Sequence, residues 1–123
     1  MNCQVTIVGG GVAGALLALY LGKARVDTCL IDKGKPSVKL TNPFVGRTTS
    51  LNLSSINSLK EAGIWENIEQ NSQQFDEIHV WDAEGSSSVQ FNAAEISKKD
   101  LGVIVHNNIL LEAIFDELEK SSE

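Results

Sequence analysis

The sequence predicts an α/β domain that opens with a strand, a helix and a second strand. Residues 4–8 form a short apolar run typical of a buried parallel strand, and an apolar, small-residue helix is predicted over 12–24. A second apolar run follows at 26–31. Three such elements within about 30 residues have the size of a βαβ unit. We therefore expect a Rossmann-like domain, of which this chain supplies the first two parallel strands.

Composition places the chain among soluble single domains. It has 123 residues, 42% of them hydrophobic, and a formal net charge of −6, which disfavours a role in binding nucleic acid. Cys3 and Cys29 lack the spacing of a metal or redox motif, so we expect two reduced, buried thiols in a cytoplasmic protein and no metal site. The apolar stretch 5–21 contains glycines and has no basic residue before it or small-residue cleavage site after it, so no signal peptide or transmembrane segment is predicted.

The middle of the chain reads as a loop followed by a helix. Residues 33–46 contain both prolines and predict a long loop. A helix is predicted over 52–62, with Ile56 and Leu59 facing inward and Gly63 as its C-terminal stop. Packing is expected to continue through Ile64, Trp65 and Ile68. The candidate N-caps of this helix are Ser50, Asn52 and Ser54.

The last third predicts a hairpin, a strand and a helix. After a polar stretch at 69–74, residues 77–81 and 87–91 read as the two strands of a hairpin, with a turn at 82–85. A further strand is predicted at 101–105. Asn107 or Asn108 is then expected to cap a final helix with one apolar face, formed by Leu111, Ile114, Phe115 and Leu118.

The turn between the first strand and its helix carries the strongest functional signal. Gly9, Gly11 and Gly14 form the pattern G-x-G-x-x-G, with a predicted strand before it and a helix after it. The first glycine permits a tight turn, the second lets a pyrophosphate approach the backbone, and the third lets the helix pack close to the strand. The helix N-terminus offers free N–H groups and partial positive charge to phosphates. The turn therefore predicts a dinucleotide site.

Asp32 strengthens that prediction, because it stands at the end of the second strand. An acid at this point of a βαβ unit accepts hydrogen bonds from the ribose hydroxyls of adenosine and repels a 2′-phosphate, which disfavours NADP. Arg47 follows the predicted loop, and the residues alone leave open whether it reaches a cofactor phosphate or is solvated. His79 and His106 show no metal-ligand spacing, and no catalytic constellation is evident, so catalytic residues stay unassigned.

Several separated segments together form a more specific pattern than the glycine turn. They are 7–14 (IVGGGVAG), 30–32 (LID), 47–56 (RTTSLNLSSI), 63–65 (GIW), 80–85 (VWDAEG) and 101–107 (LGVIVHN). In this order they resemble the N-terminal third of the flavin-dependent aromatic hydroxylases related to para-hydroxybenzoate hydroxylase, and most closely the ubiquinone-biosynthesis hydroxylases. The chain departs from that pattern where it has Asp32 in place of the commoner glutamate, Thr48-Thr49 in place of a small apolar residue and a serine, His106 in place of a glutamate, and Leu111 in place of a polar residue.

The resemblance implies FAD as the cofactor, NAD(P)H as its reductant and a polyprenylated phenol of ubiquinone biosynthesis as the substrate. Such a substrate implies peripheral contact with a membrane or a biosynthetic complex for an otherwise cytoplasmic protein. It also raises Arg47 to an expected FAD contact. The expected cofactor-binding residues are Gly9, Gly10, Gly11, Val12, Ala13, Gly14, Asp32, Lys33 and Arg47.

The family's second flavin motif, a Gly-Asp followed by a helix, has no counterpart in this sequence. We therefore expect residues 1–123 to be the N-terminal part of an FAD-binding domain with an incomplete sheet, inactive alone. Its expected parts are a βαβ unit (4–32), an FAD loop and helix (33–68), a hairpin region (75–92) and a strand and helix (101–120). Two alternatives stay open: another FAD oxidoreductase of the same fold, and a non-catalytic nucleotide-binding module.

Overall fold

A computed structural model describes residues 2–34 and 46–121 of the chain. The described residues form seven strands, four α-helices and one short 3-10 turn at Ala93–Ile96. In chain order the elements are β1 (Val5–Val8), α1 (Val12–Lys23), β2 (Thr28–Ile31), β3 (Thr48–Asn52), α2 (Leu53–Glu61), α3 (Trp65–Glu69), β4 (Gln73–Phe75), β5 (Glu77–Trp81), β6 (Ser88–Asn92), β7 (Gly102–His106) and α4 (Asn107–Lys120).

The first three elements form the predicted βαβ unit. Strands β1 and β2 run parallel, with Val5 opposite Thr28 and Val8 opposite Ile31. Among the described residues each of the two strands has the other as its single neighbour. The prediction of an α/β, Rossmann-like unit with an incomplete sheet is therefore confirmed. The predicted loop at 33–46 lies, for residues 35–45, outside the described part of the chain.

A second sheet has the order β3-β7-β4, and both of its ladders are antiparallel. The sequence predicted β7, displaced by one residue, but neither β3 nor β4. Both missed strands are short and mostly polar (TTSLN and QQF), so neither shows the alternation of apolar and polar residues that predicts a strand. They form because the two edges of the apolar strand β7 supply them with ladder hydrogen bonds, as Leu51 beside Val103 illustrates.

The predicted hairpin is present as β5 and β6. Glu77 lies opposite Asn92 and Trp81 opposite Ser88, and the Asp82 N–H donates to the Ser87 carbonyl across the turn at 3.0 Å. The second strand begins one residue later than the sequence predicted, because Ser87 belongs to the turn. Every residue of β5 is exposed to solvent.

The core lies between α1, α4, the α2–α3 pair and one face of β7. Ile56 and Leu59 are buried on α2, as the sequence predicted, and the packing does continue through Ile64, Trp65 and Ile68. On α4 the buried positions are Leu110, Ala113 and Ile114, whereas Leu111, Phe115 and Leu118 are partly covered. The largest fully buried side chains are Leu19, Ile64, Ile68, Leu110, Ile114 and Val105.

Helix boundaries follow capping chemistry in α2 but not in α4. Asn52 caps α2, since its side-chain oxygen accepts from the Ser55 N–H at 2.8 Å, and Gly63 ends the region with φ +78°. The N-cap of α4 is His106, which makes no side-chain capping bond. The prediction that Asn107 or Asn108 caps α4 is wrong. Asn107 lies inside the helix, where its N–H donates to the Arg47 carbonyl at 2.9 Å and its side chain bonds Thr49.

One face of the β1–β2 sheet is open to solvent. Val8 is 82% exposed and Ile31 53%, whereas Ile7, on the opposite face, is buried. Cys3 and Cys29 are both free and only partly buried, so the expectation of buried thiols is wrong. Within ranges 2–34 and 46–121 we find no helix both long and apolar enough to cross a bilayer.

Candidate cofactor-binding site

The glycine turn joins β1 to α1 without interrupting either element. Gly9 has φ +109°, in the region that favours glycine, and its N–H donates to the Ile31 carbonyl at 2.7 Å. Gly11 is the N-cap of α1 and has no side chain with which to cap it. The first N–H groups of the helix, which include those of Val12, Ala13 and Gly14, therefore have no acceptor within the helix. No acidic side chain stands in this first turn.

Gly14 is required by the packing of α1 against β1. A Cβ atom placed on Gly14 would lie 1.9 Å from the carbonyl oxygen of Gly9 and 3.4 Å from Ile7 Cγ2. By contrast, a Cβ atom on Gly11 would meet nothing within 4 Å. The third glycine of the motif thus serves close helix–strand packing, and the second leaves an open approach to the helix N-terminus, which are the two roles that the spacing predicted.

Asp32 lies beside the glycine turn. Its Oδ2 accepts a hydrogen bond from the Gly10 N–H at 2.6 Å, and its Oδ1 accepts from the Gly34 N–H at 3.1 Å. These two bonds, the Gly10 bond above all, hold the pKa of the Asp32 carboxyl below its usual value. The carboxylate is therefore ionised at neutral pH and held next to the free amides of the turn.

The contact between Asp32 and Gly10 was not predicted from the sequence. A Cβ atom on Gly10 would lie 3.1 Å from the Asp32 Cβ, so the absence of a side chain at Gly10 leaves room for the aspartate. The available signal was the glycine at the second position of the motif combined with an acid of short side chain at the end of β2. An aspartate must approach the turn closely for its carboxylate to reach the Gly10 amide.

A cavity of about 460 Å³ opens at this point, lined by Val8, Gly9, Ile31, Asp32 and Lys33. It lies at the carboxyl ends of two parallel strands, where open α/β sheets bind their ligands. A larger hollow, of about 640 Å³, lies between α1, β2 and α4 and is lined by residues that include Arg25, Asp27 and Phe115. None of the predicted site residues lines that hollow, so chemistry rather than size assigns the candidate site to the smaller cavity.

The other singled-out residues lie on different elements of the chain. Arg47 is exposed just before β3, where its carbonyl accepts from the Asn107 N–H. Lys33 lines the cavity and is exposed. His79 lies on the hairpin against Trp81, with ring centroids 5.4 Å apart. His106 Nδ1 is buried and has no hydrogen-bond partner among the described residues. The same residues contain no cluster of three or more potential metal ligands.

The glycine turn, the free helix N-terminus and the carboxylate at the end of β2 define an α/β domain of the class that binds adenine dinucleotides. Residues 2–113 match the family model described as "FAD binding domain", and the chain belongs to this family.

Within this family, the chain is similar in sequence to hydroxylases of ubiquinone biosynthesis. The chain is 29% identical over 123 residues to the 3-demethoxyubiquinol 3-hydroxylase of Escherichia coli, a match that covers 94% of this chain and 30% of that protein. It is 31% identical over 115 residues to the ubiquinone hydroxylase UbiL of Rhodospirillum rubrum, covering 94% and 27% respectively. The predicted resemblance to ubiquinone-biosynthesis hydroxylases is therefore confirmed. The chain spans only about 30% of the length of these relatives.

The fold also matches solved structures of flavoproteins. PqsL of Pseudomonas aeruginosa, described as a probable FAD-dependent monooxygenase, superposes with a TM-score of 0.75 at 16% identity. The match covers 98% of this chain and 31% of that one. At this identity the likeness concerns the fold, and it shows that the described elements are arranged as in part of that protein.

Proposed function

We propose that this chain is the N-terminal cofactor-binding part of a flavin-dependent monooxygenase that hydroxylates a polyprenylated phenol in ubiquinone biosynthesis. The observation that carries the proposal is the joint placement of an uncapped helix N-terminus and an ionised aspartate at one glycine turn. The family match supports FAD as the ligand of that turn. The similarity to ubiquinone hydroxylases supports the substrate class.

The residues present suit the adenosine and pyrophosphate portion of FAD. The N–H groups of Val12, Ala13 and Gly14 donate to the pyrophosphate oxygens, and Gly9 and Gly11 leave room for them, while Gly10 leaves room for Asp32. Asp32 accepts from the ribose hydroxyls. Lys33, which lines the cavity, adds positive charge near the phosphates, and the family match supports Arg47 as a further cofactor contact.

When bound, the flavin supplies oxygen activation and hydride chemistry, with NAD(P)H as the reductant. This chain's own contribution is to hold one end of the cofactor. The two hydrogen bonds from Gly10 and Gly34 fix the Asp32 carboxylate before the nucleotide arrives, so little ordering is needed at that side chain on binding. The domain parts 4–32, 33–68, 75–92 and 101–120 are proposed as portions of a single FAD-binding domain, 1–123.

A lipid-like phenol resides in a membrane, so we propose peripheral contact of the complete enzyme with a membrane surface or with a biosynthetic complex there. Apart from that contact, we propose that the enzyme is cytoplasmic. The similarity to ubiquinone hydroxylases supports the substrate class from which this location follows.

A non-catalytic nucleotide-binding module is the second candidate. It is suggested by the site residues of the described part of the chain, whose amides and carboxylate suit phosphate and ribose contacts. Retained flavin and NADH oxidation by the purified protein distinguish an enzyme from such a module. Another FAD oxidoreductase of this fold is distinguished by the substrate that accelerates NADH oxidation.

Nucleotide titration tests the site itself. We expect FAD and ADP to bind the purified chain, and 2′-phospho-ADP-ribose to bind at least about tenfold more weakly, because Asp32 repels the 2′-phosphate. Asp32→Asn should weaken ADP binding and reduce that discrimination. The matched control is Asp27→Asn, which changes an exposed acid directly before the first residue of β2. It should leave the affinity for ADP and the discrimination against the 2′-phosphate unchanged. Equal affinity of the wild type for ADP and 2′-phospho-ADP-ribose contradicts the proposal, as does the absence of binding of any of these nucleotides.

A further inference from the structure

The two cysteines of the chain meet on the open face of the β1–β2 sheet. Cys29 lies on β2 directly opposite Thr6 of β1, and in paired parallel strands such partners point to the same face. The sulfur of Cys3, just before β1, lies 3.3 Å from the Thr6 hydroxyl oxygen. Strand pairing therefore brings together two thiols that stand 26 positions apart in the sequence and form no recognisable motif there.

Both thiols are neighbours of the Thr6 side chain, Cys3 through the 3.3 Å contact and Cys29 as the residue opposite Thr6 on β2. Hydrogen bonding with the Cys29 thiol, followed by that with Thr6, lowers the pKa of Cys3. The same bond with Cys3, followed by burial and by the charges of Cys3 and Asp27, raises the pKa of Cys29. One thiol is thus favoured as the thiolate and the other as its proton donor. Both are free and partly exposed to solvent.

We propose that Cys3 and Cys29 form a peroxide-reactive thiol pair, in which Cys3 is oxidised first and Cys29 then closes an intramolecular disulfide between the segment before β1 and strand β2. The arrangement contains the parts that such a site needs: a solvent-accessible nucleophilic sulfur, hydrogen-bonding groups that stabilise its anion, and a second thiol that shares the Thr6 neighbour. The inference is independent of the proposed function, because neither sulfur belongs to the cofactor cavity.

The oxidant is hydrogen peroxide or an alkyl hydroperoxide. The Cys3 thiolate attacks the peroxide, a sulfur–oxygen bond forms, the oxygen–oxygen bond breaks, and hydroxide (or alkoxide) leaves and takes up a proton. The Cys29 sulfur, losing its own proton, then attacks the Cys3 sulfur and displaces hydroxide, which leaves with that proton as water. Two thiols are oxidised by two electrons in total, and the peroxide is reduced by the same two.

The disulfide would enclose residues 4–28 in a covalent loop that contains β1, the glycine turn and α1. It would tie together two strands that each have one neighbour among the described residues. Because a cross-link restricts the unfolded chain, we expect the oxidised protein to unfold at a higher urea concentration than the reduced protein.

Peroxide titration with intact-mass analysis tests the pair. The reduced wild type should lose two titratable thiols and the mass of two hydrogen atoms while staying monomeric. Cys29→Ser should stop at a sulfenic acid on Cys3 that dimedone traps. Cys3→Ser should react at least about tenfold more slowly than Cys29→Ser, because its remaining thiol has the higher pKa.

Serine is nearly the size of cysteine, and circular dichroism establishes that each variant is folded before its rate is compared. The proposal is overturned if the two single variants oxidise at equal rates. It is equally overturned if the folded wild type accumulates sulfinic acid or disulfide-linked dimers in place of the internal disulfide.

Discussion

Replacing Gly14 by alanine isolates the packing of α1 against β1. The added Cβ would lie 1.9 Å from the Gly9 carbonyl oxygen, and carbon–oxygen contacts in proteins begin near about 3.3 Å. Helix and strand must therefore separate by roughly 1.4 Å, the difference of those two distances. The obstacle is backbone rather than a movable side chain, so the overpacking cost should fall toward the upper end of about 1–3 kcal/mol.

Gly22→Ala is the matched control on the same helix. A Cβ at Gly22 meets nothing within 4 Å, so this variant should gain about 0.5–1 kcal/mol of helix propensity with no clash. Gly14→Ala has the same favourable term but bears the clash, which leaves it destabilised by about 2 kcal/mol. The two variants should thus differ by about 3 kcal/mol in the free energy of unfolding.

Urea denaturation followed by tryptophan fluorescence measures this difference. Trp65 is buried and reports the loss of the core, whereas Trp81 is 66% exposed already. With an m value of about 1.5 kcal/mol/M, the midpoints of the two variants should lie about 2 M apart. If their midpoints coincide, or if Gly14→Ala is the more stable of the two, the reasoning about the turn is refuted.

Three further outcomes are expected. The pKa of Asp32 is lowered in the folded state, so its carboxylate stabilises the fold above about pH 4, and this contribution is lost as the pH falls through the lowered pKa. The urea midpoint of the wild type should therefore fall more steeply in acid than that of Asp32→Asn. Parallel dependence of the two midpoints on pH would contradict this. Ile114→Ala should lower the free energy of unfolding by about 2–5 kcal/mol, because Ile114 is fully buried. Ile104→Ala, at a 42% exposed position, should lower it much less. Equal losses of stability in urea denaturation would show that burial does not govern the cost. Asn52→Ala should lower stability by about 0.5–2 kcal/mol by leaving the Ser55 N–H of α2 uncapped, and Asn52→Asp should restore most of it.

The βαβ unit was predictable because each of its signals is local. Apolar runs, the glycine spacing and Asp32 all lie within the first 32 residues, and each follows from backbone geometry at a known point of the unit. The hairpin was predictable for the same reason. Its strands are close in sequence, and its turn residues lie between them.

The strands β3 and β4 were not predictable, because what stabilises them is distant in sequence. Residues 48–52 pair with 102–106, and their own side chains are mostly polar. The prediction of the α4 cap was wrong for a similar reason. Asn107 is engaged by the Thr49 side chain and by the carbonyl of Arg47, the residue just before β3. The meeting of Cys3 and Cys29 depends on the register of β1 and β2, which the sequence spacing of two lone cysteines does not encode.

The hairpin is attached to the rest of the protein by few interactions. All of β5 is exposed. A two-stranded hairpin is marginally stable by itself. At the base of this hairpin, the Ala93 N–H donates to the Asp76 carbonyl at 2.8 Å. Its amide protons should therefore exchange with solvent through local openings, with protection far below that of amides in α1 and α4, which require global unfolding. On the timescale of amide exchange the chain behaves as two units: a slowly opening helical core, and a ribbon that repeatedly opens and closes while the core stays folded.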